Sequence, residues 1–422
     1  MAVPSRFPLV AARWRSLDWG AIALGAVFFS LYFCVGGAIT NSAAYSHQDL
    51  LFGADLRRIM RNMTQGNARP MDTVTHTLFL LLTTPVTMAL AGVIGDPRLA
   101  VALVMALIGA LGVILARSIF RRLGASPAVA VGGAVLFGLS ASQVWFSATP
   151  ETFGLGGLSV LCLWAVALRS PGQPWPALGP GLLAFGATAT NLLPAAWVYG
   201  CLMAGPWQRR VRAVVLWGVM VVAVGSALTY LQHLIWPGAG LFWVSDDDGP
   251  GNPDYFREVG PGRVLRMVLY LGIFGVARPG LWIGRTTPPY PPNLRFDLTE
   301  WTIAVALTQV LWLALLAIAI YGVFRHGRDR APVLWGVGGV LLFNGLLHTL
   351  YGAPEELFLY APHWTGSLMV GVMAGLLPLL QRRDRLAQGI VLLAIALALG
   401  QLWSHGEWIH QVLTVYRDPR YA

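Results

Sequence analysis

Asp55 and Arg58 stand one helical turn apart in this 422-residue chain, and their types suit chemistry at a membrane surface. They belong to the segment 45–61, where apolar residues recur with helical spacing, so the two side chains share one helix face. A carboxylate at the boundary between water and lipid is partly desolvated and can act as a general base. An amphipathic helix with a simple ion pair explains the same spacing, and Asp49 is the alternative base.

The composition places these residues in a membrane protein. Hydrophobic residues make up 56% of the chain and charged residues 11%, whereas soluble domains contain about 25% charged residues. At about 20 residues per crossing, the apolar runs provide roughly ten crossings. A soluble enzyme, a disordered chain, a single-span receptor and a β-barrel are excluded. We therefore predict an all-α polytopic membrane protein that forms a single transmembrane domain over 1–422.

The basic residues predict the topology. All 29 are arginines, and they cluster at 6–15, 117–122, 209–212, 325–330 and 382–385. Arginine collects on cytoplasmic loops, so a net charge of +10 need not indicate nucleic acid, and the N-terminus is predicted to be cytoplasmic. The predicted spans are about 19–39, 99–116, 127–146, 152–168, 213–235, 303–323, 332–350, 364–380 and 387–403. Two further segments are predicted not to cross fully: a pair of short helices near 178–205 that dips into the membrane and returns, and a juxtamembrane or re-entrant helix at 77–95.

Two long outer loops follow from this topology, over 40–95 and 236–302. All 19 acids except Asp18, Asp329 and Asp384 then lie on the outer side, so carboxylate chemistry is expected there. Apart from His348 and His233 near span ends, no ionisable residue lies clearly within a span, which weakens an ion-coupled transporter. The three cysteines lie in apolar runs without disulfide or metal-ligand spacing. We expect no metal or cofactor. A divalent cation at the acidic run 246–248 is the alternative, although this run lacks the residue order of a calcium loop.

Several short motifs follow one another in a recognisable order. They are Phe52-Gly-Ala-Asp55, His76-Thr-Leu-Phe, Ile94-Gly95-Asp-Pro-Arg98, the arginine-rich 116–124 and Ser147-Ala-Thr-Pro-Glu151. This order resembles that of the integral-membrane glycosyltransferases of the C superfamily, among them protein O-mannosyltransferases and lipid A aminoarabinose transferases. The resemblance covers roughly 20–170, with a weaker match near 350–365. Thr77 stands where the family has a proline after the histidine, and Ala54 replaces the first acid of the family's Asp-Glu pair.

The resemblance implies a GT-C-type bundle of about 10–12 transmembrane helices with periplasmic juxtamembrane helices. It also implies inverting transfer of a sugar from a polyprenyl-phosphate donor to a lipid, glycan or protein acceptor, on the periplasmic face of a bacterial inner membrane. Asp55 would be the base. The donor and its phosphate would be bound by Arg58, Arg69, His76, Arg263, Arg266 and His363, with Arg278 and Arg285 as further arginines; Glu151, Glu355, Glu356 and Tyr360 would contact the acceptor or the sugar.

Simpler roles exist for most of these side chains. Glu151 suits an ordinary helix N-terminus, where negative charge is favourable. Each arginine can extend along apolar surface to water without binding phosphate. Two other functions also fit a polytopic protein of this composition. One is a flippase or transporter for a lipid-linked precursor. The other is a different membrane transferase, such as an O-antigen ligase, a polymerase or an acyltransferase, the last of which would use His348 as its buried histidine.

Overall fold

The computed structural model describes residues 18–46, 50–66, 68, 70–242, 256, 258–284, 286, 290–297, 299–352, 356–382 and 384–418. The protein is an all-α polytopic membrane protein with one two-stranded sheet among the described residues. Its elements are α1 (Trp19–Thr40), α2 (Leu56–Gln65), α3 (Pro70–Thr75), α4 (Phe79–Ile94), α5 (Pro97–Arg122), α6 (Pro127–Gly138), α7 (Ala141–Ala148), α8 (Thr152–Arg169), α9 (Pro174–Ala187), α10 (Leu192–Leu202), α11 (Trp207–Ile235), α12 (Pro261–Leu269), β1 (Gly280–Ile283), β2 (Leu294–Asp297), α13 (Ile303–His326), α14 (Ala331–Leu350), α15 (Pro362–Leu380) and α16 (Arg385–Tyr416).

Among the described residues, seven helical segments are long and apolar enough to cross a membrane, or eight if the bent pair α6–α7 counts as one span. One of the seven, 303–350, would be about 72 Å long as a single helix, far more than a hydrocarbon core of about 30 Å. It comprises α13 and α14, and it folds back between them. Gly322 of α13 lies against Gly375, and Val337 of α14 lies against Gly371, so both helices pack beside the same stretch of α15 in opposite directions.

With α13 and α14 counted separately, each of the nine predicted spans contains one of these helices or the bent pair α6–α7. The segments predicted to re-enter or to dip into the membrane contain the shorter helices α4, α9 and α10, which have 16, 14 and 11 residues. The predicted span at 127–146 is broken, because α6 and α7 meet at an angle of 64°. Such helices are shorter than the roughly 20 residues that a full crossing requires.

Contacts between α1 and α5 define the two ends of the bundle. At one end, which we call the arginine end, Asp18 forms an ion pair with Arg117. At the other, which we call the site end, Arg98 donates from Nη1 to the Thr40 carbonyl oxygen at 3.3 Å. Residues 41–96 therefore leave and return to the site end, and α4 makes no net crossing.

Further arginines lie at the arginine end. A cavity of about 360 Å³ is lined by Arg121 and by Gln381, next to the last residue of α15. Arg382 is hydrogen-bonded to His326 at 3.1 Å, so the α13–α14 turn is at this end too. The predicted basic clusters near 120, 326 and 382 are thus neighbours in space. The positive charge of these loops is collected on the face opposite Asp55.

The segment between α11 and α13 enters the bundle and leaves it again. After α12, the carbonyl oxygens of Gly275 and Val276 accept the backbone N–H groups of Ser142 and Ala141, at 3.0 and 2.9 Å. These bonds satisfy donors at the break between α6 and α7, which is required where backbone lies away from water. The antiparallel pair β1–β2 follows, and Leu51 forms a parallel bridge to Leu294 of β2. This bridge fixes the start of the chain segment that carries Asp55.

Candidate functional site

Asp55 is positioned by a turn with an unusual backbone conformation. Phe52 and Gly53 have φ values of +58° and +75°, and the first of these is costly for a residue with a bulky side chain. The turn is held in place because the Phe52 N–H donates to the Leu294 carbonyl oxygen at 2.8 Å, and the Phe52 ring packs on Trp145 at 4.9 Å. Asp55 directly precedes α2. Strain of this kind is often found beside functional residues.

The Asp55 carboxylate forms an ion pair with Arg58 on the first turn of α2. The Asp55 side chain is 31% exposed and that of Arg58 is 17% exposed, so the pair lies at the protein surface without being fully solvated. The carboxylate makes no capping hydrogen bond to α2. The predicted helical spacing is therefore present, and the carboxylate is accessible to a substrate that approaches the site end.

Glu151 lies beside Asp55 and is almost completely buried, with 2% exposure. Its Oε2 atom accepts the Asp55 backbone N–H at 3.1 Å, and Oε1 accepts the Thr152 backbone N–H at 2.8 Å. Burial, together with the negative charge of Asp55, raises the pKa of Glu151 to about 7, although Arg58 acts in the opposite direction. Two neighbouring carboxyl groups thus have contrasting environments, an arrangement that separates acid and base roles in many enzymes.

His76 lies behind Glu151. Its Nδ1 atom is 2.8 Å from the Ala187 carbonyl oxygen, and its Nε2 atom is 3.2 Å from the Thr152 hydroxyl. The ring is 9% exposed. These contacts direct the two ring nitrogens toward protein oxygen atoms, so His76 belongs to a buried hydrogen-bond network, and its contact with the donor stays a prediction.

A second polar group lies across the Phe153 ring from this network. The Tyr360 ring stacks on His348 with centroids 3.9 Å apart, and Phe153 contacts Tyr360 and His363 at 5.2 and 5.3 Å. Both histidines are buried. Within the described part of the chain, neither ring nitrogen of His348 has a hydrogen-bond partner, and nor does Nε2 of His363, which faces Gly156. Buried polar atoms without partners mark positions where water or ligand groups bind.

The Glu356 side chain packs against Gly53 in the turn before Asp55. The structure thus brings together Asp55, Arg58, Glu151, His76, Glu356, Tyr360 and His363 at the site end. Sequence reasoning missed Thr152 and Phe153, although both follow Glu151 directly. The predicted residues Asp49, Arg69, Arg285 and Glu355 lie outside the described residues.

Arg263 was predicted to bind the donor phosphate, and the structure gives it another role. Its Nη2 atom donates to the carbonyl oxygens of His348 and Gly352 at 3.1 and 2.7 Å, and Nε donates to that of Thr349. Arg263 therefore caps the C-terminal end of α14. Arg278 has a similar role, because it is 2% exposed and donates from Nε and Nη2 to the Ser404 carbonyl oxygen.

Arg266, which was also predicted to bind the donor phosphate, is exposed on α12. It therefore provides a matched control for a substitution of Arg263. We expect Arg263→Ala to lower the free energy of unfolding by about 3 kcal/mol, because it removes charge-assisted hydrogen bonds to buried carbonyl groups. Arg266→Ala should change it by no more than about 0.5 kcal/mol. Thermal unfolding of the two variants and the wild type in the same detergent measures both changes in stability. An Arg263→Ala protein with unchanged stability but a raised KM for the donor would restore the phosphate-binding role.

Metal chemistry has no evident site here. Among the described residues, no group of three or more His, Cys, Asp or Glu side chains could hold a metal ion. The acidic run 246–248 lies outside the described residues. The cavity of about 360 Å³ belongs to the arginine end and is remote from Asp55. The groups that the structure does bring together at the site end are carboxylates, an arginine and histidines.

Comparison with known proteins adds no assignment. No protein-family model matches this chain, and a comparison with curated proteins found no match. The arrangement around Asp55 is thus the observation on which a function has to rest.

Proposed function

We propose that this protein is a glycosyltransferase of the C-superfamily type, which transfers a sugar from a polyprenyl-phosphate donor to an acceptor hydroxyl group. The observation that carries the proposal is the accessible Asp55–Arg58 pair at the site end, next to the buried Glu151. A general base and a cationic group side by side at the membrane surface are what this reaction requires. The acceptor would be a lipid, a glycan or a protein.

The proposed reaction is an inverting displacement. Asp55 takes the proton from the acceptor hydroxyl while the acceptor oxygen forms a bond to the anomeric carbon of the sugar. The bond between that carbon and the phosphate oxygen breaks, and the polyprenyl phosphate leaves with the bonding electrons. Arg58 stabilises the negative charge that develops on this phosphate, because a guanidinium group binds phosphate oxygens through two parallel donors.

The distribution of charge supports a periplasmic site. Arginine residues accumulate on the cytoplasmic side of membrane proteins, and the arginine end lies opposite Asp55. On this basis we propose that the N-terminus is cytoplasmic and that the site end lies on the outer side of the inner membrane. A polyprenyl donor would keep its chain in the bilayer and its sugar phosphate at the depth of Asp55.

The second polar group suits the sugar itself. Aromatic side chains such as Tyr360 and Phe153 offer apolar faces, and the unpaired ring nitrogens of His348 and His363 offer hydrogen-bond partners for hydroxyl groups. Glu356 packs against the turn that precedes Asp55. We assign these residues to recognition of the sugar and not to the bond-breaking step.

Transfer in a defined membrane tests the proposal. Purified protein in lipid nanodiscs is incubated with radiolabelled polyprenyl-phosphate sugars and an extract of cell-envelope acceptors. A new glycosidic bond is expected, and mass spectrometry of glycans, lipids and glycoproteins from a deletion strain should reveal the loss of one sugar. Movement of the labelled lipid across vesicle membranes without bond formation would support a flippase instead. Acyl transfer that depends on His348 would support an acyltransferase.

A further inference from the structure

A chain of hydrogen bonds leads from Asp55 into the protein and ends at His76. Glu151 Oε2 accepts the Asp55 backbone N–H, and Oε1 lies 3.2 Å from the Thr152 hydroxyl as well as 2.8 Å from the Thr152 backbone nitrogen. The same hydroxyl is 3.2 Å from His76 Nε2, and His76 Nδ1 is 2.8 Å from the Ala187 carbonyl oxygen. Glu151, Thr152 and His76 are all buried.

The number of protons in this chain follows from which atoms can donate. The Ala187 carbonyl oxygen only accepts, so His76 Nδ1 must carry a hydrogen. The Thr188 hydroxyl, 3.4 Å from Nδ1, donates to the same carbonyl and leaves this assignment unchanged. The Thr152 hydroxyl has one hydrogen, which it gives either to Glu151 or to His76.

Each choice fixes the charge of both neighbours. If the Thr152 hydroxyl donates to Glu151, His76 Nε2 must carry a hydrogen, and the pair is a carboxylate and an imidazolium. If the hydroxyl donates to His76, Glu151 must be protonated in order to donate to the hydroxyl oxygen. In both arrangements, Glu151 and His76 together have a net charge of zero. They then hold one proton more than a Glu151 carboxylate and a neutral His76 would hold.

We propose that Glu151 and His76 share one mobile proton through the Thr152 hydroxyl, and that the three residues form a proton relay beside Asp55. In one transfer, the Glu151 proton moves to Thr152 Oγ1 while the Thr152 proton moves to His76 Nε2. The O–H bonds of Glu151 and Thr152 break, a new O–H bond forms at Thr152 Oγ1, and an N–H bond forms at His76 Nε2. The total charge of the three residues does not change. The assignment of this relay to catalysis rests on the proposed function.

The charged and titratable groups around the relay couple it to the base. Asp55 and Arg58 face Glu151 from α2, and His363 approaches His76 from α15. The negative charge of Asp55 favours the proton on Glu151. When Asp55 accepts a proton from the acceptor hydroxyl, that charge is lost, and the relay proton shifts toward His76. The relay therefore keeps the buried side of the site neutral while Asp55 changes its charge.

Spectroscopy measures the two protonation states without any substrate. In nanodiscs containing protein with ¹⁵N-labelled histidine, the signals lost in His76→Gln report the imidazolium fraction of His76. The infrared carbonyl stretch of a neutral carboxylic acid, identified by its loss in Glu151→Gln, reports the protonated fraction of Glu151. We expect the two fractions to add up to one between about pH 6 and 8. A sum close to zero or to two would overturn the proposal.

Two variants test the hydroxyl link. Thr152→Val removes the hydroxyl at nearly constant volume, and we expect the two fractions to vary independently with pH. Thr152→Ser keeps the hydroxyl and should keep the fractions complementary. Complementary fractions in Thr152→Val would show that the hydroxyl is not the link. Neither spectroscopic measurement needs a sugar donor, so the relay and the proposed function can fail separately. A shared proton in a protein without transferase activity would contradict only the proposed function. An active transferase in which the two protonated fractions add up to zero or two would contradict only the relay.

Discussion

Replacing Asp55 with asparagine is expected to lower kcat for sugar transfer by at least about 100-fold, because a general base contributes a factor of about 10² to 10⁴. Asparagine has almost the same shape, but it cannot take a proton from the acceptor hydroxyl. The KM for the donor should change little, since Arg58 remains. Transfer of radiolabel from the polyprenyl-phosphate sugar, measured over a range of donor concentrations, gives both values.

The matched control for this substitution is Asp96→Asn. Asp96 is at the same end of the bundle and caps α5 by accepting the backbone N–H groups of Arg98 and Leu99. Asparagine is an equally good N-cap, so this variant should be fully active and stable. A folded Asp55→Asn protein, with a melting temperature near that of the wild type but undiminished transfer, would remove Asp55 as the base.

The second large effect is expected where α13 and α15 touch. A Cβ atom at Gly375 would lie 2.2 Å from the Ala319 carbonyl oxygen, and one at Gly322 would lie 2.0 Å from the Gly375 carbonyl oxygen. Both obstacles are backbone atoms, which cannot rotate away as a side chain can. Small residues allow membrane helices to approach this closely. We expect Gly375→Val to cost about 3 kcal/mol or more, because the helices must separate.

Gly338→Ala provides the control for this prediction. Gly338 is exposed on α14, and a Cβ atom there would meet nothing within 4 Å. Alanine favours a helix more than glycine by about 0.5 to 1 kcal/mol, so the variant should unfold at the same temperature or higher. Thermal unfolding followed by tryptophan fluorescence in a single detergent compares the three proteins. Equal melting temperatures for Gly375→Val and the wild type would contradict the packing.

Some elements of the site are local in sequence, and these could be predicted. Asp55 and Arg58 are three residues apart, so helical geometry alone brings them together. The membrane class follows from composition, because long apolar runs must be removed from water. The phosphate-binding role of Arg263 stays a prediction, and the structure adds contacts that the sequence did not indicate. Its charge and its place in a loop are visible in the sequence, but the carbonyl groups of 348–352 that it caps are not.

The sequence by itself determined the all-α membrane class and the pairing of Asp55 with Arg58, because both depend on hydropathy and spacing along a few turns of chain. Only the tertiary structure decided that Glu151 meets Asp55, 96 positions away, and that Thr152 links it to His76. These contacts arise where the start of α8 packs against the turns that precede α2 and α4. Burial of Glu151, and hence its raised pKa, depends on that packing and has no signal in the residues next to it.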